Sequence, residues 1–60
     1  MTGTERRKKL LNLMRESKTP LSGGALGSAT GVSRQVIVQD IALLRAVNKN
    51  ILSTNKGYVL

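Results

Sequence analysis

The sequence contains no cysteine and no histidine, and only three of its 60 residues are acidic. Without Cys or His, disulfides, thiolate or imidazole metal sites and Ser/His or Cys/His nucleophilic pairs are excluded. The carboxylates of Glu5, Glu16 and Asp40 are scattered and too few for an all-carboxylate metal site. A chain this short buries only about 60% of its unfolded surface, which leaves no room for a catalytic cleft beside a core. These absences argue against an enzyme.

Aromatic residues and long apolar stretches are also scarce. Tyr58 is the only aromatic residue, whereas proteins that bind single-stranded RNA usually stack bases on several aromatic rings. No apolar run approaches the roughly 20 residues of a membrane span, and the charged start lacks the apolar segment of a signal peptide. We therefore expect a cytoplasmic protein with no membrane partner.

Positive charge is what the sequence has in excess. Ten Lys and Arg residues against three acids give a net charge of +7, which favours a polyanionic partner over a merely soluble surface. The densest charge is the run Arg6-Arg7-Lys8-Lys9. We interpret this run as a solvated helix face, and leave open a contact between one of its residues and a backbone phosphate.

The first 30 residues predict two helices. Thr2 or Thr4 can cap a first helix, and Thr2 with Glu5 has capping-box spacing. This helix should run to about residue 17, where Lys18-Thr19-Pro20 ends it. One face carries an apolar stripe: Leu10, Leu11, Leu13 and Met14.

The second helix, about 23–30, should follow a short strand residue, Leu21, and an N-cap, Ser22. Three glycines weaken it by up to about 1 kcal/mol each: Gly23, Gly24 and Gly27. Three residues should pack it closely against another helix: Ala25, Leu26 and Ala29. Gly31 then supplies a left-handed turn.

A third helix is predicted over about 34–47, with Ser33 as its N-cap. The β-branched run Val36-Ile37-Val38 would suit a strand, but Ile37, Ile41 and Leu44 recur on one helical face. The opposite side carries Arg34, Gln35, Val38, Gln39, Ala42 and Arg45. Asp40 and Val47 border the apolar face, and we expect Asp40 to pair with a basic residue of the first helix or to cap a nearby backbone group.

The end of the chain predicts a β-hairpin. Asn48-Lys49-Asn50 should end the third helix, and strands should cover 51–54 and 58–60. A tight turn at 55–57 joins them, with Gly57 able to take a positive φ. Three helices and a hairpin make an α+β winged helix-turn-helix, a single domain over 1–60, with Tyr58 in the core of the wing.

This fold points to DNA binding, because a recognition helix presents its N-terminal residues to base edges in the major groove. Arg34 can reach guanine or a phosphate, Gln35 and Gln39 can read adenine, and Val38 can meet a thymine methyl. The main role of Ser33 is to cap the helix, and its secondary role is a contact with a phosphate. The alternative for both glutamines is an ordinary polar helix surface.

Two further basic residues complete the predicted DNA-binding set. Arg45 lies further along the helix and suits a phosphate contact or a solvated position. Lys56 lies at the tip of the wing and suits a neighbouring phosphate or the minor groove.

The chain resembles a known family across nearly its whole length. It is similar to the N-terminal winged-helix domain of biotin-ligase-type repressors and, more narrowly, of niacin-responsive repressors of NAD biosynthesis (NiaR/YrxA type). The resemblance rests on Lys18-Thr19-Pro20-Leu21-Ser22-Gly23-Gly24, Val32-Ser33-Arg34-Gln35-Val36-Ile37-Val38-Gln39-Asp40-Ile41 and Gly57-Tyr58-Val59. Gly27 and Ser28 depart from the pattern, since relatives carry better helix formers there.

The resemblance implies the DNA-binding head of a bacterial repressor of NAD biosynthesis or salvage genes. Such a repressor binds a two-fold double-stranded operator as a homodimer, with nicotinate as co-repressor. The resemblance places the nicotinate and a metal ion in a His-rich C-terminal domain, so this chain should lack the effector domain and hold no cofactor itself. The alternatives are the head of a biotin-type repressor and a winged-helix protein-interaction module, whose docking face should be more apolar.

Overall fold

The computed structural model describes residues 2–47 and 50–60 as three α-helices followed by an antiparallel β-hairpin. The elements are α1 (Gly3–Glu16), α2 (Gly23–Thr30), α3 (Arg34–Val47), β1 (Leu52–Thr54) and β2 (Gly57–Val59). The predicted winged helix-turn-helix is therefore confirmed. The expected end of α3 at Asn48-Lys49-Asn50 falls largely outside the described residues, although Asn50 itself lies in a turn.

Side-chain caps begin α1 and α2, because the first backbone N–H groups of a helix have no partner within it. The Glu5 N–H donates to Thr2 Oγ1 at 3.1 Å, and the Thr2 N–H donates to Glu5 Oε1 at 3.3 Å, which is the predicted capping box. Ser22 Oγ accepts from the Ala25 N–H at 3.0 Å at the start of α2. The predicted caps thus fix where both helices begin.

The core lies where the three helices meet the start of the hairpin. Its buried members are Leu10, Met14, Leu26, Ile37, Ile41, Leu44 and Ile51. The three from α3 are those whose helical spacing predicted a buried face, so the β-branched run within α3 is helical, as expected. Burial of this face against α1 and α2 outweighs the local preference of Val and Ile for strands.

The packing of α2 agrees with the prediction at Leu26, which is buried, and differs from it at the two alanines. Ala25 and Ala29 are exposed, and the close approach is made by Gly23 and Gly27, which are buried. A Cβ at Gly27 would lie 2.6 Å from the carbonyl oxygen of Val32, so the turn after α2 passes where a side chain would stand. Gly27 therefore permits the turn, rather than simply weakening the helix.

The hairpin has a shorter turn than predicted. Thr54 pairs with Gly57, so only Asn55 and Lys56 lie in the turn and Gly57 is the first residue of β2. Gly57 has the expected positive φ, at 141°. Ile51 and Leu60, both predicted as strand residues, flank the strands instead.

Leu21 joins the wing to the loop before α2. Its N–H donates to the Tyr58 carbonyl at 3.0 Å, and the Tyr58 N–H donates to the Leu21 carbonyl at 2.7 Å. The prediction that Leu21 is a short strand residue is confirmed, and Tyr58 packs against the core as expected. A Cβ at Gly57 would meet the Leu21 backbone at 2.4 Å, so this contact also requires glycine.

None of the described helices combines the length and the apolar character needed to cross a membrane.

Candidate nucleic-acid interface

The turn between α2 and α3 is built on backbone hydrogen bonds to the end of α2. Gly31 adopts the left-handed conformation, with φ 74° and ψ 28°, as predicted. Its N–H and that of Val32 both donate to the Gly27 carbonyl. Ser33 Oγ then accepts from the Val36 N–H at 3.3 Å, which is the predicted cap of α3. This turn sets the direction in which α3 leaves α2.

The outer face of α3 is exposed from its first residue. Six side chains lie on it, as predicted: Arg34, Gln35, Val38, Gln39, Ala42 and Arg45. Gln35 and Gln39 are one helical turn apart, and Val38 beside them is 44% exposed despite being apolar. Two amides flanking an aliphatic group can offer paired hydrogen bonds to a base edge and a contact to a thymine methyl.

Arg34, at the start of α3, and Lys56, in the turn of the wing, line the same cleft. The cleft has a volume of about 190 Å³ and lies between the start of α2, the start of α3 and the wing. Its walls are Ser22, Gly23, Arg34 and residues 53–58. The structure thus brings these two predicted site residues together, although they are 22 positions apart in the sequence.

The wing tip that carries Lys56 is held by the side chain of Thr54. Thr54 Oγ1 accepts from the Lys56 N–H at 3.2 Å and donates to the Gly57 carbonyl at 2.8 Å. These bonds fix the backbone of the turn and leave the Lys56 side chain exposed. Arg45, by contrast, lies three helical turns from Arg34, about 16 Å along the axis, and does not line the cleft.

Asp40 is on the inner side of α3 and is only 2% exposed. Arg6 donates to it through Nε and Nη2, the latter at 3.0 Å, and Arg7 donates through Nη1 at 3.2 Å. The hydrogen bond from Arg6 is the main cause that lowers the pKa of Asp40, and it raises the pKa of Arg6. The expected pairing of Asp40 with α1 is therefore confirmed.

The prediction that the run at 6–9 is a solvated face is wrong for its first half. Arg6 and Arg7 are partly buried against Asp40, while Lys8 and Lys9 are exposed. The cause is an acid on the inner side of α3, which would be costly to bury without a cation. Two of the ten basic residues thus hold α1 to α3.

No sequence pattern indicates that Gly23 borders the site. Its low helix propensity predicts only a weak point of α2, yet Gly23 is buried and lines the cleft beside Arg34. No local pattern marks such a glycine, because the side chain it accommodates comes from another helix.

In the part of the chain that the structure describes, no three His, Cys, Asp or Glu residues come together in a way that could hold a metal ion.

Comparison with known proteins places these features in a family. A family model described as an HTH domain matches residues 6–59. The transcription repressor NadR of Bacillus subtilis is 54% identical over 59 residues, which cover 98% of this chain and 33% of that protein. The probable transcription repressor NiaR of Thermotoga maritima is 52% identical over 56 residues, covering 93% of this chain and 32% of that protein. The chain therefore spans about a third of the length of these curated relatives.

Proposed function

This chain belongs to the HTH domain family, and we propose that it is the DNA-binding head of a transcription repressor. The observation that carries the proposal is the exposed outer face of α3, where Gln35, Val38 and Gln39 follow a capped, left-handed turn. Both curated relatives are named transcription repressors, and neither name describes an enzyme. The net charge of +7 supports a polyanionic partner.

In this proposal α3 enters the major groove of double-stranded DNA, and the wing touches the flanking backbone. Gln35 and Gln39 read base edges, and Val38 contacts a thymine methyl. Ser33 caps α3 and offers a phosphate contact, while Arg45 and Lys56 contact phosphates.

The regulated genes are proposed to be those of NAD biosynthesis or salvage. The names of both relatives, NadR and NiaR, support this assignment, together with the resemblance of residues 32–41 to niacin-responsive repressors. The homodimer contacts, the nicotinate site and the metal site would then lie in the two thirds of such a repressor that this chain does not span. A repressor of this kind acts in the cytoplasm.

The test begins with a duplex selected by this chain from a random pool. We expect Gln39→Ala to weaken binding to the selected duplex by about 1–3 kcal/mol, because one base-specific pair of hydrogen bonds is lost. Binding to a mixed-sequence duplex should hardly change. Fluorescence anisotropy with both duplexes, starting at low salt, measures the two affinities.

Asn12→Ala is the matched control, since Asn12 is an exposed polar residue of α1. It should leave both affinities unchanged. An equal loss on both duplexes for Gln39→Ala would remove the residue from base recognition. No binding of the unmodified chain to any duplex at low salt would overturn the DNA-binding proposal and favour the protein-interaction alternative.

A further inference from the structure

The cleft between the start of α2 and the wing adjoins the outer face of α3 at Arg34. Its volume is about 190 Å³. Arg34 and Lys56 line it together with Ser22, Ser53 and Thr54, and the Thr54 hydroxyl already donates its proton to the Gly57 carbonyl. A site lined by two cations suits a small oxyanion.

No acid offsets the charge of this cleft. Asp40 is bound by two arginines of α1, Glu5 is bonded to Thr2 in the capping box, and Glu16 does not line the cleft. Within residues 2–47 and 50–60, neither Arg34 nor Lys56 forms a salt bridge. Both cations are therefore available to a ligand.

The Arg34 side chain lies directly over Gly23. A Cβ at position 23 would be 3.1 Å from Arg34 Cγ, 3.5 Å from Nε and 3.7 Å from Cδ. An alanine there would push the arginine stem away by some tenths of an ångström. The lack of a side chain at Gly23 is what lets Arg34 fold back from the outer face of α3 toward the wing.

We propose that this cleft binds one backbone phosphate of double-stranded DNA, held between Arg34 and Lys56, and that Gly23 is the positioning residue for Arg34. The inference rests on the proposed function and deepens it. A guanidinium can bind a phosphate through two parallel hydrogen bonds, and an ammonium opposite it adds a second charge. Arg34 then anchors the backbone, and base reading falls to Gln35, Val38 and Gln39.

The salt dependence of binding separates a phosphate contact from a base contact. Each neutralised phosphate adds about 0.9 to the slope of log affinity against log salt concentration. We expect Arg34→Ala to lower this slope by about 0.9 and to weaken binding about tenfold on every duplex. Arg34→Lys keeps the charge, so it should retain the slope and the ranking of DNA sequences.

Gly23→Ala tests the positioning role, and Gly24→Ala is its matched control. Gly24 is the next residue of the same helix and is exposed; a Cβ there would have only Ser22 Oγ nearby, at 3.9 Å. Gly23→Ala should lower the slope in the same direction as Arg34→Ala, and the double variant should lose little more than Arg34→Ala alone. Gly24→Ala should leave both slope and affinity unchanged. Circular dichroism melting verifies that each variant is folded.

Three results would overturn the inference while the DNA-binding proposal survives. The first is an unchanged salt slope in Arg34→Ala with lost discrimination among sequences, which would make Arg34 a base reader. The second is full additivity of Gly23→Ala and Arg34→Ala. The third is the same slope loss in folded Gly24→Ala. If the unmodified chain binds no duplex at low salt, the proposed function fails, and this inference fails with it.

Discussion

Asp40 is a buried carboxylate whose partners both come from another helix. Its contacts with Arg6 and Arg7 join the middle of α3 to the first turns of α1. The arginines keep part of their surface in water, with 19% and 29% of the side chains exposed. The cluster thus combines a desolvated acid with partly hydrated cations, so its stabilising effect depends mainly on the acid keeping its charge.

Replacing Asp40 by Asn should destabilise the fold by about 1.5–3 kcal/mol, the range for hydrogen bonds to charged groups. The substitution preserves the shape but leaves two arginines facing a neutral amide. Urea denaturation at neutral pH, followed by circular dichroism, measures the change. Glu16→Gln, which neutralises an exposed acid at the end of α1, should have little effect; equal losses in the two variants would assign the effect to net charge alone.

Lowering the pH should remove the stabilisation that the Asp40 carboxylate gives to the unmodified chain. The pKa of Asp40 is lowered in the folded state by the hydrogen bond from Arg6, so the unfolded state takes up the proton first. The contribution of Asp40 to the free energy of unfolding is complete above the ordinary Asp pKa of about 3.9. It disappears as the pH falls through the lower pKa of the folded state. Urea midpoints measured from pH 6 to pH 2 should therefore converge for the unmodified chain and Asp40→Asn. A constant gap between them would contradict this linkage.

The eight-residue helix α2 depends on glycines at positions where a side chain would not fit. Gly27→Ala should destabilise the protein by about 1–3 kcal/mol, because its Cβ would lie 2.6 Å from the Val32 carbonyl oxygen. The better helix propensity of alanine, worth up to about 1 kcal/mol, does not offset that overlap. Thermal melting measures the change.

Gly24→Ala again provides the comparison, because that position is exposed and open. At position 24 only the higher helix propensity of alanine should act, and it should raise the melting temperature slightly. A stabilised Gly27→Ala variant would show that the turn after α2 can move without cost.

Local sequence patterns predicted the elements well, and they failed where contacts are long-range. The spacing of Ile37, Ile41 and Leu44 was enough to identify α3 and its buried face, since both follow from helical periodicity. The burial of Gly27 was missed, because the atom that excludes a side chain there belongs to the next turn. The pairing of Asp40 with α1 was expected, but which basic residues it would bind depends on how two helices cross. The roles of the site residues remain predictions, since they depend on a ligand.

The positive charges of the domain are close enough to repel one another. The described fold measures 25 × 23 × 19 Å, and the chain carries a net charge of +7. The Debye length is about 30 Å at 0.01 M salt and about 8 Å at 0.15 M. Every charge therefore acts on every other at low salt, whereas only neighbours do so near physiological ionic strength.

The melting temperature should consequently rise when salt is increased from 0.01 to about 0.15 M, because screening relieves repulsion in the compact state. Circular dichroism melting across this range is the measurement. Lys8→Glu combined with Lys9→Glu changes two exposed residues and should reduce the salt effect. If the salt dependence were unaltered in that variant, net charge would not be its cause.

The backbone contact between Leu21 and Tyr58 also affects when the domain can fold during its synthesis. It joins the loop before α2 to the second strand of the wing, and the core itself includes Ile51. When only the three helices of a nascent chain have left the ribosome, neither Tyr58 nor Ile51 is available to them. Its apolar surfaces stay uncovered until the wing emerges, so we expect the fold to form in one late step, after synthesis has passed Tyr58.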